Sequence, residues 1–336
     1  MEFLTKKQPS KGVVFFTSTM LLSIPNCYAD FTENLRWSLD GSARLNLDNA
    51  RDNTSQIYAI GLDTHKVFTS ENSDIGYAVG QVYFTKIHNL TPVPFLFDNK
   101  NDSDFIIREA HLNYTAGTSW LPNIRVGHFT LPFGLEEAID TNGRLLDYYL
   151  GANLGTKLDW GIDFNKVVKH LEYSISYTLG GKDKLDSIDG SYAVTARISS
   201  LSHQNLVIGG SLFNGKIDGV SRNRVALDWR YYWHTYGFFG ELALGEDDKE
   251  LGSFQTEKYA LLEFNKTSLN DQLKLYGQFI FRDKAQLKYA EKLVNIGLSY
   301  QFTSRFELSL AAMKQVSTSN DFKKKKLARI QMRYRY

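Results

Sequence analysis

One stretch of the chain gathers four acids around one base: Glu136, Glu137, Asp140 and Asp147 with Arg144. A second set is basic and recurs at even intervals along three segments. Arg36 and Arg44 lie in the first, Arg222, Arg224 and Arg230 in another, and Arg329, Arg333 and Arg335 in the last. Residues an even number apart on a strand share a face, so each arginine set points one way. Fixed charges facing a confined aqueous space act on every ion that enters it. An acidic loop opposite a basic wall sets a transverse field, which orients dipoles and tunes ion preference. Taken singly, the same arginines also read as solvated side chains that pair with Asp40, Glu241 or Glu307 and brace a wall.

Bond-making chemistry has no comparable signature. Among the histidines, His111 alternates with Glu109 and Asn113, and His128 follows Gly127 in an apolar segment. His65, His88, His170, His203 and His234 fall at segment ends or in turns. None is spaced with a serine and an acid as a nucleophile, base and orienting group would be. There is no HExxH and no glycine-rich phosphate cradle. The single cysteine, Cys27, sits in the leader described next, so disulfides, thiolate metal sites and cysteine catalysis are not expected. No cofactor, metal or enzymatic activity is expected. A net charge of +2 names no nucleic-acid partner.

Lys6, Lys7 and Lys11 precede an apolar stretch from Val13 to Ile24, followed by Pro25 and Cys27-Tyr28-Ala29. This order marks residues 1–29 as a secretory signal peptide, too short to span a bilayer, with 30–336 as the exported domain. Ile24-Pro25-Asn26 is a poor lipobox, so Cys27 reads as discarded and not lipidated. Beyond the leader no apolar run reaches the ~18 residues of a membrane helix. The mean hydropathy of −0.32 would suit a soluble protein. It equally suits a membrane barrel, where only every second residue meets lipid. Aromatic residues make up 14% of the chain, with 22 Phe and 19 Tyr, where a soluble α/β enzyme would use Leu and Ala.

The elements that must position the charges are strands. Leu35, Trp37, Leu39, Gly41, Ala43, Leu45 and Leu47 alternate strictly with polar residues. That run outlasts the usual soluble strand and suffices for a tilted membrane crossing. Tyr58, Ile60 and Leu62 form the apolar face of a second strand, and Ala110, Leu112 and Tyr114 that of a fourth. The third, Ile75 to His88, has mixed periodicity and leaves its faces open. After a fifth strand comes a connection of roughly 26 residues, Leu131 to Thr156, longer than loops without a function usually are. Further strands follow to the C-terminus, tight turns such as His234-Thr235 alternating with longer polar loops such as Gly180–Gly190 and Glu246–Gln255. Pro132 is the last proline, which leaves the rest free for pairing. The expected fold is all-β: a transmembrane antiparallel barrel of about 16 strands, greasy outside and wet inside, with both termini at one rim. A soluble sandwich fails on strand length and on aromatics at strand ends, such as Trp229, Tyr231 and Trp233.

Two stretches carry a resemblance. The last ten residues place Ala328, Ile330, Met332, Tyr334 and Tyr336 on one face. This resembles the C-terminal strand signal of bacterial outer-membrane barrels. Arg108-Glu109-Ala110-His111-Leu112, then Arg125-Val126-Gly127-His128-Phe129-Thr130-Leu131-Pro132-Phe133-Gly134-Leu135-Glu136, then Lys157 to Asp163, resemble the phosphate-selective (O/P-type) porins of Gram-negative outer membranes. That resemblance covers Ile106 to Asp163. It implies a sixteen-stranded, trimeric outer-membrane channel whose third loop folds into the lumen and which passes small hydrophilic solutes or ions by diffusion. Glu136, Glu137, Asp140, Arg144 and Asp147 would then form the constriction. The family's Gln-x-Lys is here His128-Phe129-Thr130, and the loop has no arginine or lysine ladder, so phosphate selectivity does not carry over. Lys323 to Lys326 could meet lipopolysaccharide phosphates or form a solvated face. Two alternatives stay open: a barrel sleeve for a porin–cytochrome electron conduit, suggested by Pro132 to Glu136 followed by Asp140-Thr141-Asn142-Gly143, and an adhesin-like barrel with no through-path.

Overall fold

The computed structural model describes residues 33–336 apart from 50–52, 71–72, 89–102, 116–120, 140–143, 149, 186–189, 250–252, 269, 285–289 and 318–325. The leader, Asp140 and Lys323 to Lys325 lie outside the described residues. The strands, in chain order, are β1 (Leu35–Asp48), β2 (Asn53–Ser70), β3 (Ser73–His88), β4 (Ser103–Tyr114), β5 (Asn123–Thr130), β6 (Leu158–Val167), β7 (Leu171–Thr178) and β8 (Tyr192–Ser200). They continue as β9 (Leu206–Ile217), β10 (Val220–Trp233), β11 (Tyr236–Lys249), β12 (Ser253–Ser268), β13 (Leu273–Lys284), β14 (Glu291–Gln301), β15 (Phe306–Ser317) and β16 (Lys326–Arg335). Each pairs antiparallel with its sequence neighbours, and β16 pairs with β1 to close the barrel. Closure leaves no edge strand with unpaired backbone groups.

Burial along the strands is inverted relative to a soluble sheet. Trp37, Leu39, Tyr58, Ile60, Leu62, Ile330, Met332 and Tyr334 are exposed, while Asp40, Asn46, Gln331 and Arg333 between them are buried. The apolar set therefore points outward and the polar set inward, as lipid outside and an enclosed interior require. At one rim the outward rings of Trp233 and Tyr236 stack at 5.7 Å, and Phe238 and Phe264 meet at 5.2 Å. Aromatic residues at this level suit the interface girdle of a membrane barrel. Among the described residues no helix is long and apolar enough to cross a membrane.

Several strands run further than the alternation suggested. β11 and β12 pair as far as Lys249 and Ser253, well into the stretch read as a loop. β9 and β10 are joined by Asp218-Gly219 alone, both at positive φ (51° and 76°), the geometry of a two-residue hairpin turn. The ambiguous third strand also resolves. Tyr77, Gln81, Tyr83, Thr85 and Ile87 share the inward face of β3, so its apolar residues are divided between both faces. Its register against β4 shifts between Gln81 and Val82, where Arg108 is left as an extra residue.

The interior is not wet throughout. Inward residues Ala193, Phe213, Ile217, Ala226, Phe239, Ala243, Tyr259, Leu261, Ile280, Leu293 and Met313 form one buried apolar cluster with Leu131, Phe133, Leu135, Leu150 and Leu154 of the long connection. The wet interior expected from the alternation therefore covers only part of the inner wall. From β8 round to β15 the wall has an apolar zone, because the connection's own apolar side chains cover it.

Candidate functional site

The connection from β5 to β6 holds a 3-10 turn at Glu136–Ala138 and one short helix, α1 (Leu150–Leu154). Its first part is fastened to inward side chains of β8 to β11. The Leu135 N–H donates to Glu241 Oε2 (2.7 Å), the Gly134 N–H donates to Ser211 Oγ (3.0 Å), and Arg197 Nε donates to the Gly134 carbonyl (3.2 Å). Gly134 has φ +63°, and a Cβ there would lie 2.5 Å from the Glu241 carboxylate. Only glycine allows the turn and the close approach together. Arg197 is held in place by Asp228 at 2.6 Å.

The second part crosses to β12 through β16. Asp147 accepts two bonds from Arg329, at 2.9 and 2.5 Å, and one from Asn295 Nδ2 at 3.1 Å. Its N–H donates to Gln278 Oε1 (2.9 Å). Tyr148 donates to Glu263 Oε2 at 2.5 Å. Loss of water around the Tyr148 phenol, reinforced by the Glu263 charge, pushes its pKa well above the usual range. Asn295 also donates to the Leu145 carbonyl (3.2 Å).

The five acidic-loop residues therefore have different surroundings. Glu136 is buried, accepting from Lys157 Nζ (2.5 Å) and the Leu150 N–H (3.0 Å), so it ties the two ends of the connection together. Asp147 is an anchor on Arg329. Glu137 lines a cavity of about 190 Å³ with Tyr77, Arg125 and Arg197. Arg144 is exposed and borders two more, about 370 and 320 Å³, with Lys274 and Asp271.

The basic set forms two groups on opposed arcs. Pairing of β1 with β16 sets Arg44 opposite Gln331 and Ser42 opposite Arg333, so Arg36, Arg44, Arg329, Arg333 and Arg335 share one wall. Arg333 Nε donates to Asp40 (2.8 Å), and Arg44 Nε donates to Gln331 Oε1 (2.8 Å). Arg36 is exposed, and Arg335 is 45% exposed with Asp40 3.7 Å away. Across the barrel on β10, Arg224 binds Glu257 at 3.0 Å and also pairs with Asp247. Arg222 lies 3.7 Å from Asp247. Arg230 is buried, its Nε without a hydrogen-bond partner.

Sequence reasoning did not single out Arg197, Asp228, Glu263, Gln278 or Asn295, all of which fasten the connection or brace the wall beside it, and it met Lys157 only within the stretch that resembles the porins. Their only signal was their inward phase, which many other polar residues share. Among the described residues no group of three His, Cys, Asp or Glu is placed to hold a metal.

The fold is a closed sixteen-stranded antiparallel barrel, an architecture that it shares with solved outer-membrane porins. The anion-selective porin from Comamonas acidovorans superposes with a TM-score of 0.67 at 9% identity, covering 90% of this chain and 99% of that one. OmpF of Salmonella typhi, in complex with daunomycin, gives 0.65 at 13% identity over 90% and 97%. OmpT of Vibrio cholerae, an outer membrane protein in its trimer form, gives 0.64 at 12% identity over 90% and 99%. At these identities the likeness is one of fold. No family model and no curated protein matches the chain.

Proposed function

We propose that this protein is an outer-membrane porin, a passive, non-enzymatic diffusion channel for small hydrophilic solutes or ions in a Gram-negative bacterium. Residues 1–29 are its export leader, and the working form is a homotrimer. The observation that carries the reading is a closed sixteen-stranded barrel, apolar outside, whose long connection is bonded to inward side chains on both sides of the interior. A free hairpin loop would need none of those bonds. In this reading Glu136 and Asp147 hold the connection, and Glu137, Asp140 and Arg144 present charge to the permeating solute. The O/P-type likeness of Ile106 to Asp163 supports the same reading. The apolar packing of the connection leaves less room than a haem-bearing sleeve needs, which disfavours the electron-conduit alternative.

Planar-bilayer recording tests this directly. The refolded chain is expected to give stepwise openings in plain potassium chloride. Silence at every protein concentration would sink the proposal. Glu137→Gln removes one negative charge from the path and is expected to move the permeability ratio toward anions. An unchanged ratio would take Glu137 out of the constriction.

A further inference from the structure

The cavities of about 370 and 320 Å³ that Arg144 borders lie beneath the connection, on the side of the short turns at Thr235 and Gln272. They share Arg144 with Thr267 of β12, Asp271 of the next turn and Lys274 of β13, so they are two lobes of one chamber. One lobe adds Glu263 and the other Glu307, which gives each lobe two cations and two acids. Arg144, Glu263 and Glu307 all act electrostatically on Lys274.

The two cations are not spent on the wall. Arg197, Arg224, Arg282, Arg329 and Arg333 each pair directly with a carboxylate. Among the described residues, neither the Arg144 guanidinium nor the Lys274 ammonium has an ion pair or hydrogen bond. The Tyr276 hydroxyl, buried on the wall of the second lobe, also lacks a hydrogen-bond partner. Of the acids, Glu263 is taken up by Tyr148 and Gln278, whereas Glu307 accepts only from Ser309 and Asp271 is exposed. Apolar side chains complete the lining, Ile139 and Phe239 in the first lobe, Leu145 and Leu146 in the second. A simple anion would meet the acids and a simple cation the bases, while a solute carrying both signs meets a partner for each. An apolar body gains from the lining, and a carboxylate satisfies the buried phenol.

We propose that this chamber is a binding station for a small zwitterion with an apolar body, the chemistry of an apolar α-amino acid. Its carboxylate is held by Arg144, Lys274 and the Tyr276 hydroxyl, and its ammonium group by Asp271 and Glu307. The inference rests on the porin reading and adds to it the class of solute that pauses in the channel.

The refolded full chain is recorded in potassium chloride with L-leucine on both sides. Leucine is expected to interrupt the open-channel current in proportion to its concentration. Leucinamide lacks the carboxylate and N-acetylleucine the ammonium group, and each is expected to act about tenfold more weakly. Lys274→Gln should weaken leucine about tenfold and Tyr276→Phe about fivefold. Calorimetry on the detergent-solubilised chain reads the same affinities when interruptions are too brief to resolve. No leucine binding, equal action of the three solutes, or affinities unchanged in both variants would overturn the station and leave the porin reading intact. Should Lys274→Gln not assemble, Tyr276→Phe alone decides. A parent chain that never opens would refute the porin reading, and the station with it.

Discussion

Asp147 accepts three hydrogen bonds, two of them from Arg329, which is buried. Replacing it with alanine strips a charge-assisted bidentate pair and leaves Arg329 without its carboxylate. The expected loss is about 2 kcal/mol of local stability. Faster hydrogen exchange at Leu145 to Tyr148, with noisier open-channel current, would report it. Exchange unchanged from the parent would show that the bond is dispensable. Tyr148 gives a test in pH. Its folded pKa lies above that of a free phenol, so the folded state keeps a proton that the unfolded chain gives up at about pH 10. The stabilisation is complete below that value and falls as pH rises through the alkaline range. Tyr148→Phe removes the titration, so its stability should vary less than the parent's between neutral and strongly alkaline pH. Urea unfolding at several pH values measures the difference. The same variant is expected to lose about 1.5 kcal/mol at neutral pH, because the bond to Glu263 is gone.

At the scale of the element, the connection behaves as a strap with an apolar underside. Leu131, Phe133 and Leu135 alternate like a strand and are completely buried against the wall. Phe133→Ala should cost about 3–5 kcal/mol of packing if the strap stays seated, or release it at smaller cost. In the second case single-channel conductance rises, and a protease added from the long-loop side cuts within 131–156. Gly134→Ala acts at the same place by strain, since φ +63° disfavours any Cβ and the Glu241 carboxylate occupies its position. Both variants are expected to give the same phenotype. The length of the connection was visible in the chain, as was its resemblance to a porin loop. Its underside was not. Leu131, Phe133 and Leu135 looked like the end of a strand, and nothing local showed that Phe213, Phe239 and Leu261, tens of residues away, would meet them.

For the whole molecule, the inverted burial pattern makes opposite demands on adjacent residues. Ile330 points outward at mid-strand, and Arg329 beside it points inward. Ile330→Arg should cost about 2–4 kcal/mol in a bilayer and impair assembly. Arg329→Gln keeps the barrel and loosens the strap. Folding yield into lipid vesicles, read by the heat-modifiable mobility of the closed barrel, separates the two. Equal yields would contradict the assignment of faces.

The chain alone determined that it would be a barrel, because period-two alternation over long runs is local and needs only lipid on one side to be read. It also determined that β1 and β16 would set their arginines together, since a closed sheet must join its first strand to its last. What it left undecided was the fate of each charge. Glu136 and Asp147 resemble Glu137 in sequence, yet two are bonded into the scaffold and one borders open space. That division depends on Lys157 at the end of the connection, on Arg329 arriving from the last strand, and on an apolar patch inside the barrel against which the connection packs. Such contacts exist only after closure, so tertiary structure alone decides them.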